Sequence, residues 1–438
     1  MSTARIEPIY RPFDEGRFLL FDGPLALQGQ GESRSPAPGQ IELQLDLAPR
    51  LRAHFFDSGA VRALFFAQEG DSILTVSLPE GADLMPPSPS AVGSRERRSR
   101  GEFPTASMRV GDLDSVTRIV FHISGALKVM GLARELDDGG RQVQVDFALP
   151  GWDLAIAPHS PETDQDADFV AVVRATPTSL PISADDVDRL KRRLFLLLSF
   201  LANREIGVGP ICGMTGERVV WAEWGAPRLM PGRPGIKWCP DLLVPDALPV
   251  LAKGWTSLSA DAAMEKILDR AIGLSLGANA REVLDVRIPI ACAGAELLAW
   301  TVLQREGWLV RGDEQRALRA AGTLRLMLRW AGIATEIPAH FDQLRERRDK
   351  RTREGQKGWE GPELLFDIRN RLMHPPKNLD DPEWPDGGEL LEAWQLGTWY
   401  LDLALLRLLN YQGEYWSRLR LNRYDTDLEP VPWNQSTS

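Results

Sequence analysis

The chain has 438 residues, of which 43% are hydrophobic and 26% are charged, and this composition excludes a wholly disordered protein. The length predicts two or three domains whose cores are large enough to be stable without disulfides or metals. The net charge is −10, which excludes a general electrostatic attraction to nucleic acid, so any such contact requires a local basic patch.

Residues 1–182 are predicted to form a β-rich domain of antiparallel strands. Apolar and polar residues alternate over 41–47 and 142–147, a period typical of half-buried strands, and further strands are expected at 72–78, 119–123 and 169–173. Gly, Pro and Asp clusters separate these runs, as in a β-sandwich. The arginine-rich stretch 86–100 is either a phosphate contact or, as we favour, a solvated mobile loop.

Residues 183–246 are predicted to be a connector made of one helix and a short hairpin. Ser183 followed by two acids is a typical helix start, and residues 219–224 read as part of the hairpin. Trp221, Trp224 and Trp238 could form a stacking platform, although core packing is the default for such side chains. His122, in an apolar run, is predicted to be a structural histidine.

Residues 247–424 are predicted to be all helical, which gives an α+β fold class overall. Helices are expected at 260–274 (capped by Ser259), 281–303, 316–330, 362–373 and 388–410. The small residues at Gly397 and Thr398 lower the expectation of one unbroken last helix. Residues 341–358 have no clear apolar period and are predicted to be an exposed connector or a poorly ordered loop. Residues 425–438 are predicted to be a loose tail.

Several families of enzyme are excluded by motifs that the sequence lacks. There is no GxxxxGK[ST] loop, no GxGxxG after a strand and no GxSxG elbow. The five histidines are not spaced as zinc ligands, so neither a metal nor another cofactor is expected. Three widely spaced cysteines, a polar N-terminus and no 20-residue apolar run predict a cytoplasmic protein without a membrane segment.

The most informative stretch is residues 364–376, an apolar-striped helix that carries Arg369 and Asn370 and is stopped at His374 by two prolines. Such a set suits RNA cleavage, because the ribose 2′-hydroxyl supplies the nucleophile. The protein then has only to move protons, as an imidazole does, and to stabilise phosphate charge, as a guanidinium does.

The order Arg369-Asn370-x-x-x-His374 resembles the R-[polar]-x(3)-H signature of HEPN-domain ribonucleases, and the resemblance covers about 247–424. A β-rich region before such a domain also resembles single-chain anti-phage HEPN proteins of the ApeA type. The resemblance implies a C-terminal HEPN-like helical bundle and a metal-independent endoribonuclease that leaves a 2′,3′-cyclic phosphate. It implies a homodimer in which two Arg/His sets share a cleft, with His374 as acid/base, Arg369 as phosphate clamp, Asn370 as orienter and Glu296 as support.

The expected partner is RNA, single-stranded or tRNA-like, with Arg371 and Lys377 as further nucleic-acid contacts. A phage-derived or nucleotide trigger is expected at the N-terminal domain, with a toxic role in phage defence. Alternatively, the basic residues around His374 complement the negative end of a helix. The protein would then be a non-catalytic RNA- or protein-binding scaffold with a ligand-binding β domain. A third interpretation, from the 14 tryptophans, is a carbohydrate-binding sandwich.

Overall fold

The computed structural model divides the chain into two compact units, each considered by itself below. The β unit comprises Met1–Leu198 and Glu205–Arg233, and the helical unit comprises Ser199–Arg204 and Pro234–Ser438. Within these bounds the structure describes residues 9–10, 12–14, 16–29, 32–33, 36–45, 49–56, 75–78, 84, 101–104, 108–125, 144–158, 169–227, 237–305, 312–356, 358–374, 384–420 and 427–434.

The first sheet of the β unit contains seven strands among the described residues. They are β1 (Pro12–Asp14), β2 (Arg17–Gly29), β3 (Glu32–Ser33), β4 (Ala37–Gln44), β5 (Arg50–Phe55), β6 (Thr75–Ser77) and β7 (Gly101–Pro104). Their order is β1-β2-β4-β5-β7, with β3 and β6 also paired to β2, and every pairing is antiparallel. The predicted basic loop 86–100 lies outside the described residues.

The second sheet likewise has seven antiparallel strands in the described part of the chain. They are β8 (Met108–Gly111), β9 (Arg118–Ser124), β10 (Val145–Leu149), β11 (Trp152–Pro158), β12 (Phe169–Pro177), β13 (Gly207–Thr215) and β14 (Arg218–Trp224), in the order β10-β11-β12-β9-β13-β14-β8. The β13–β14 hairpin thus belongs to the same sheet as β8 and β9, which lie about a hundred residues earlier in the chain. The prediction that this hairpin is part of a separate connector, residues 183–246, is therefore wrong.

Both sheets contribute side chains to one hydrophobic cluster, as in a sandwich. Ile41 and Phe55 of the first sheet are fully buried in this cluster, together with Val172 and Trp224 of the second. His122 lies in the core and is satisfied there: Nε2 accepts from the Ile9 amide (3.1 Å), and Nδ1 donates to the Pro210 carbonyl (2.9 Å). Its predicted structural role is confirmed.

Helix α1 (Ala184–Ala202) follows the second sheet's strand β12 and starts where the sequence predicts. The Ser183 hydroxyl accepts from the Asp186 amide (3.2 Å), and the Asp186 carboxylate accepts from the Ser183 amide (2.9 Å). This reciprocal pair is a capping box. The expectation that the three tryptophans pack in the core is confirmed, because Trp221, Trp224 and Trp238 are all buried in the structure.

The helical unit contains seven α-helices within the described residues. They are α2 (Val244–Ser259), α3 (Ala262–Ala278), α4 (Leu284–Arg305), α5 (Gly312–Trp330, kinked at Arg319), α6 (Asp342–Arg353), α7 (Gly361–Met373) and α8 (Gly387–Leu408). A short ladder, β15 (Glu414–Tyr415) with β16 (Glu429–Pro430), follows. Antiparallel sheets followed by helices confirm the predicted α+β class.

Two details of the predicted helices are wrong. Helix α3 is capped by Asp261, whose carboxylate accepts from the amides of Ala263 and Met264, whereas Ser259 ends α2 and bonds back to the Thr256 carbonyl. Residues 341–358 are not an exposed connector, since α6 occupies most of them. The helix has little apolar surface because two of its inward positions are arginines, Arg347 and Arg351, which are 8% and 7% exposed.

Helix α8 is continuous through the small residues that lowered its expectation. A Cβ on Gly397 would lie 3.2 Å from Leu365 and 3.5 Å from Ala291, so the glycine permits close approach of α7 and α4. Residues 427–434, part of the predicted loose tail, are attached: Tyr415 donates to Glu429 (2.6 Å), and the Trp433 indole donates to the Tyr411 carbonyl (2.7 Å).

One described helix, α4, is long and apolar enough to cross a membrane by length and composition. More than half of its most apolar window, 56%, is buried inside the protein. A buried core helix can have the same length and composition, so we assign α4 to the core of the helical unit.

Candidate functional site at the end of helix α7

Helix α7 carries the predicted motif, and its sequence explains both of its ends. Glu360 and Glu363 form a capping box at the start, with Pro362 in the first turn. The helix ends at Met373, as predicted from the prolines that follow. Leu364, Leu365 and Ile368 form its fully buried stripe. The stripe fixes which face of α7 points inward and therefore where the motif residues lie.

Helix α5 holds the start of α7 through two ion pairs. Arg325 contacts Glu363 at 2.6 Å, and Arg329 contacts Glu360 at 2.9 Å. Both carboxylates lie at the N-terminus of α7, where negative charge also complements the helix dipole. The first turn of the motif helix is therefore tied to α5 by side chains that also cap it.

Helix α6 holds the middle of α7 through a denser cluster of charges. Asp367 Oδ2 accepts from Arg347 Nε (2.9 Å), Arg347 Nη2 (2.7 Å) and Arg351 Nη2 (3.3 Å). Arg347 Nη1 also donates to both oxygens of Glu389 (3.0 and 2.9 Å), at the start of α8. Arg347 thus joins α6, α7 and α8. The sequence analysis does not predict this cluster. The four-residue spacing of Arg347 and Arg351, which places both on one face of a helix, is the feature that could have indicated it.

Arg369 and Asn370, the predicted clamp and orienter, are in direct contact. Arg369 Nη1 donates to Asn370 Oδ1 at 2.9 Å. Arg369 is half-buried and Asn370 is exposed. The guanidinium therefore has one hydrogen bond to its neighbour while remaining partly open to solvent.

Glu296 and Arg369 both act on the same buried thiol. Burial raises the pKa of Cys292 on α4 to about 12, while the charge of Arg369 lowers it and that of Glu296 raises it. The fold thus brings the predicted support residue and the predicted clamp to the surroundings of Cys292. No ion pair joins Glu296 directly to Arg369 among the residues that the structure describes.

His374 lies just beyond the last turn of α7. Its backbone is extended (φ −123°, ψ 144°), and its amide donates to the Asn370 carbonyl at 3.0 Å. The side chain is exposed. Within the described range 358–374, no hydrogen bond joins the imidazole to Arg369 or Asn370. The fold therefore places His374 at the same helix end as Arg369 but does not bring the two side chains into contact.

The two predicted nucleic-acid contacts have different outcomes. Arg371 Nε lies 3.6 Å from Asp367 Oδ2, so this arginine belongs to the cluster that holds α7. Lys377 lies outside the described residues. Among the residues that the structure describes, no group of three or more His, Cys, Asp or Glu side chains is arranged to hold a metal.

Comparison with known proteins finds two similarities that include this region. Residues 261–429 match the model of the YopA C-terminal domain. A stretch of 250 residues is 26% identical to the SPbeta prophage-derived uncharacterized protein YopA of Bacillus subtilis (strain 168), over 57% of this chain and 54% of that protein. The chain therefore spans about half the length of this curated relative. No solved structure matches the chain.

Proposed function

We propose that the protein is a metal-independent endoribonuclease whose active site lies at the C-terminal end of α7, in a HEPN-like helical domain. The observation that supports this most is the state of the motif helix. It ends at Met373, leaves His374 exposed, and holds Arg369 against Asn370. Phosphodiester transesterification needs groups that move protons and a cation that stabilises phosphate charge, and an exposed imidazole and a guanidinium at one helix end are groups of these kinds.

In the proposed reaction the 2′-hydroxyl oxygen of the substrate attacks the adjacent phosphorus and loses its proton to a base. The bond from phosphorus to the 5′-oxygen breaks, and the leaving oxygen takes a proton, which gives a 2′,3′-cyclic phosphate and a 5′-hydroxyl. His374 serves as proton carrier, and Arg369 stabilises the phosphorane charge. Asn370 orients the guanidinium, and Glu296 supports it from α4.

Pairing of two copies belongs to the same proposal. One proton must be removed and another delivered, and a single set supplies one imidazole. The residue before His374, Met373, is 57% exposed although it is apolar, and a second copy covering this helix end would bury it. The shared cleft would then contain two imidazoles and two guanidinium groups.

The biological setting is proposed by resemblance. A toxic, cytoplasmic effector of phage defence fits the motif and the order of the two units, and the relative named above is prophage-derived. A protein that defends against phages and a protein encoded by a prophage would both meet phage-encoded components. In this setting the β unit receives the trigger, and the helical unit cleaves RNA.

The test compares full-length wild type with His374→Ala and Arg369→Ala on labelled single-stranded RNA and on tRNA, with EDTA present. Cleavage is expected to fall at least a hundredfold in both variants, and His340→Ala, which removes another exposed histidine of the helical unit, should retain it. A 2′-O-methyl substrate should resist cleavage. RNA ends and growth are also followed in expressing cells with and without phage.

A non-catalytic scaffold is the second candidate, and one observation favours it. Arg371 is bound to Asp367, and the His374 imidazole forms no hydrogen bond with Arg369 or Asn370 within 358–374. Under this alternative, the wild type and both alanine variants bind RNA equally and leave it intact in every assay, including infected cells. That result would reject the endoribonuclease.

A further inference from the structure

The β unit contains a cavity of about 390 Å³ whose wall is built by α1 and the β13–β14 hairpin. Its size falls in the usual range for small-molecule sites, roughly 300–1,000 Å³. One face of α1 lines it through positions 188, 191, 192 and 195, which recur at helical spacing. The opposite wall contains Ile211 and Glu223, which are directly paired across the two strands.

The floor of this cavity is apolar and preformed. Phe195, Ile206 and Val208 line it, with Gly209 beside them. Gly209 and Pro210 form a bulge in β13, because Val208 pairs with Ile123 and Ile211 pairs with Phe121. A hydrogen bond from His122 Nδ1 to the Pro210 carbonyl holds this bulge in place. A Cβ on Gly209 would meet nothing within 4 Å, so the backbone here faces open space.

The polar part of the cavity is an ordered set of ion pairs. Glu223, 5% exposed, accepts from Lys191 Nζ (2.5 Å) and from Arg109 Nε (2.7 Å). Arg109 also pairs with Asp188 on the rim. Both oxygens of Glu223 are thus occupied by cations. Lys191 carries three donors, and among the described residues Glu223 is its partner for one of them.

We infer that this cavity is a binding site for a small amphipathic anion, with an apolar or aromatic ring against Phe195 and Val208 and one anionic group on Lys191. The ring would be buried against the apolar floor, where burial is favourable. The anionic group would complete the donors of Lys191 beside a carboxylate that is already neutralised. This site is independent of the endoribonuclease proposed for α7.

Two probes separate the parts of this inference. Anilinonaphthalene sulfonate has an aromatic body and one anionic group, and phenylnaphthylamine has the same body without the charge. Titration of the full-length protein is expected to give one sulfonate bound per chain. Lys191→Met should weaken its binding about tenfold, the value of one charge-assisted hydrogen bond, and change binding of the uncharged probe less than twofold.

Two further variants complete the design. Ala226→Trp places a large ring at an exposed position of the cavity wall and should weaken both probes at least tenfold. Lys253→Met, which removes an exposed lysine of the helical unit, should change neither. Thermal melting checks that each variant folds. The site is overturned if Ala226→Trp binds both probes like the wild type, and its anion preference is overturned if Lys191→Met binds the sulfonate unchanged.

Discussion

Arg347 binds Asp367 through two nitrogens, Nε at 2.9 Å and Nη2 at 2.7 Å, although the two residues lie on different helices. The same arginine reaches both oxygens of Glu389. Arg347 is almost wholly buried, and it makes the shortest contacts to Asp367, which Arg351 and Arg371 also approach. The motif helix is therefore held in place by these ion pairs in addition to its buried apolar stripe.

Arg347→Ala is expected to lower the free energy of unfolding of the helical unit by about 3 kcal/mol. It removes the ion pair of the partly buried Glu389, and it leaves Asp367 only the longer contacts to Arg351 and Arg371. Urea denaturation followed by tryptophan fluorescence measures this. Arg353→Ala, at an exposed position of the same helix, should stay within about 0.5 kcal/mol of wild type. Equal effects of the two substitutions would contradict the assignment of Arg347 as the anchor of α7.

A second buried ion pair predicts non-additive effects of substitution. Arg418 pairs with Asp402 and donates to Asn279 (2.9 Å) and Asn203 (3.2 Å), and it is 1% exposed. Arg418→Met should cost about 3–5 kcal/mol, because Asp402 is left buried and charged. Adding Asp402→Leu to Arg418→Met should recover at least about 1 kcal/mol of that loss.

The control for this cycle is Arg420→Met, which removes an exposed arginine two residues away. It should change the denaturation midpoint very little. If the double variant is less stable than Arg418→Met alone, the buried charge of Asp402 is not the cause of the loss.

The free energy of unfolding at acidic pH should depend on Glu223. Burial acts to raise the pKa of this carboxyl, but hydrogen bonds and charges of Lys191 and Arg109 outweigh it, so the pKa lies below its usual value. A lowered pKa in the folded state adds stability above the unfolded pKa of about 4.3, and this stability is lost as the pH falls through the folded value.

The stability advantage of wild type over Glu223→Gln should therefore be largest near neutral pH and shrink below about pH 4. Denaturant melts at a series of pH values measure this difference. Glu217→Gln, on the same hairpin with an 89% exposed side chain, should track the wild type throughout. An advantage that grows on acidification would be the opposite of what the ion pairs require.

The corrected start of α3 gives a direct comparison of two side chains. Asp261 caps the helix, at 2.9 Å from the Ala263 amide. Asp261→Ala should lower the free energy of unfolding by about 1 kcal/mol. Ser259→Ala should have almost no effect, because its hydroxyl bonds only to the preceding turn. The reverse order of effects would restore the cap that the sequence suggests.

Several elements can be predicted from the sequence because they depend on residues that are close together in the chain. The alternation over 41–47 predicts a strand, and β4 covers Ala37–Gln44. The acids after Ser183 predict the start of α1, and the prolines after His374 predict the end of α7. Each depends on hydrogen bonds and side-chain periods within a few residues, which propensity and spacing capture.

Tertiary structure alone decides which charged groups meet. Helix α6 has too few apolar residues to be recognised from periodicity, and it is stable because Arg347 and Arg351 meet Asp367 and Glu389 from other helices. The contact between Arg418 and Asn203 spans 215 residues, and the cavity beside Lys191 exists only once α1 and the β13–β14 hairpin are side by side. A buried charge needs a partner at hydrogen-bond distance, and only packing of distant segments supplies one.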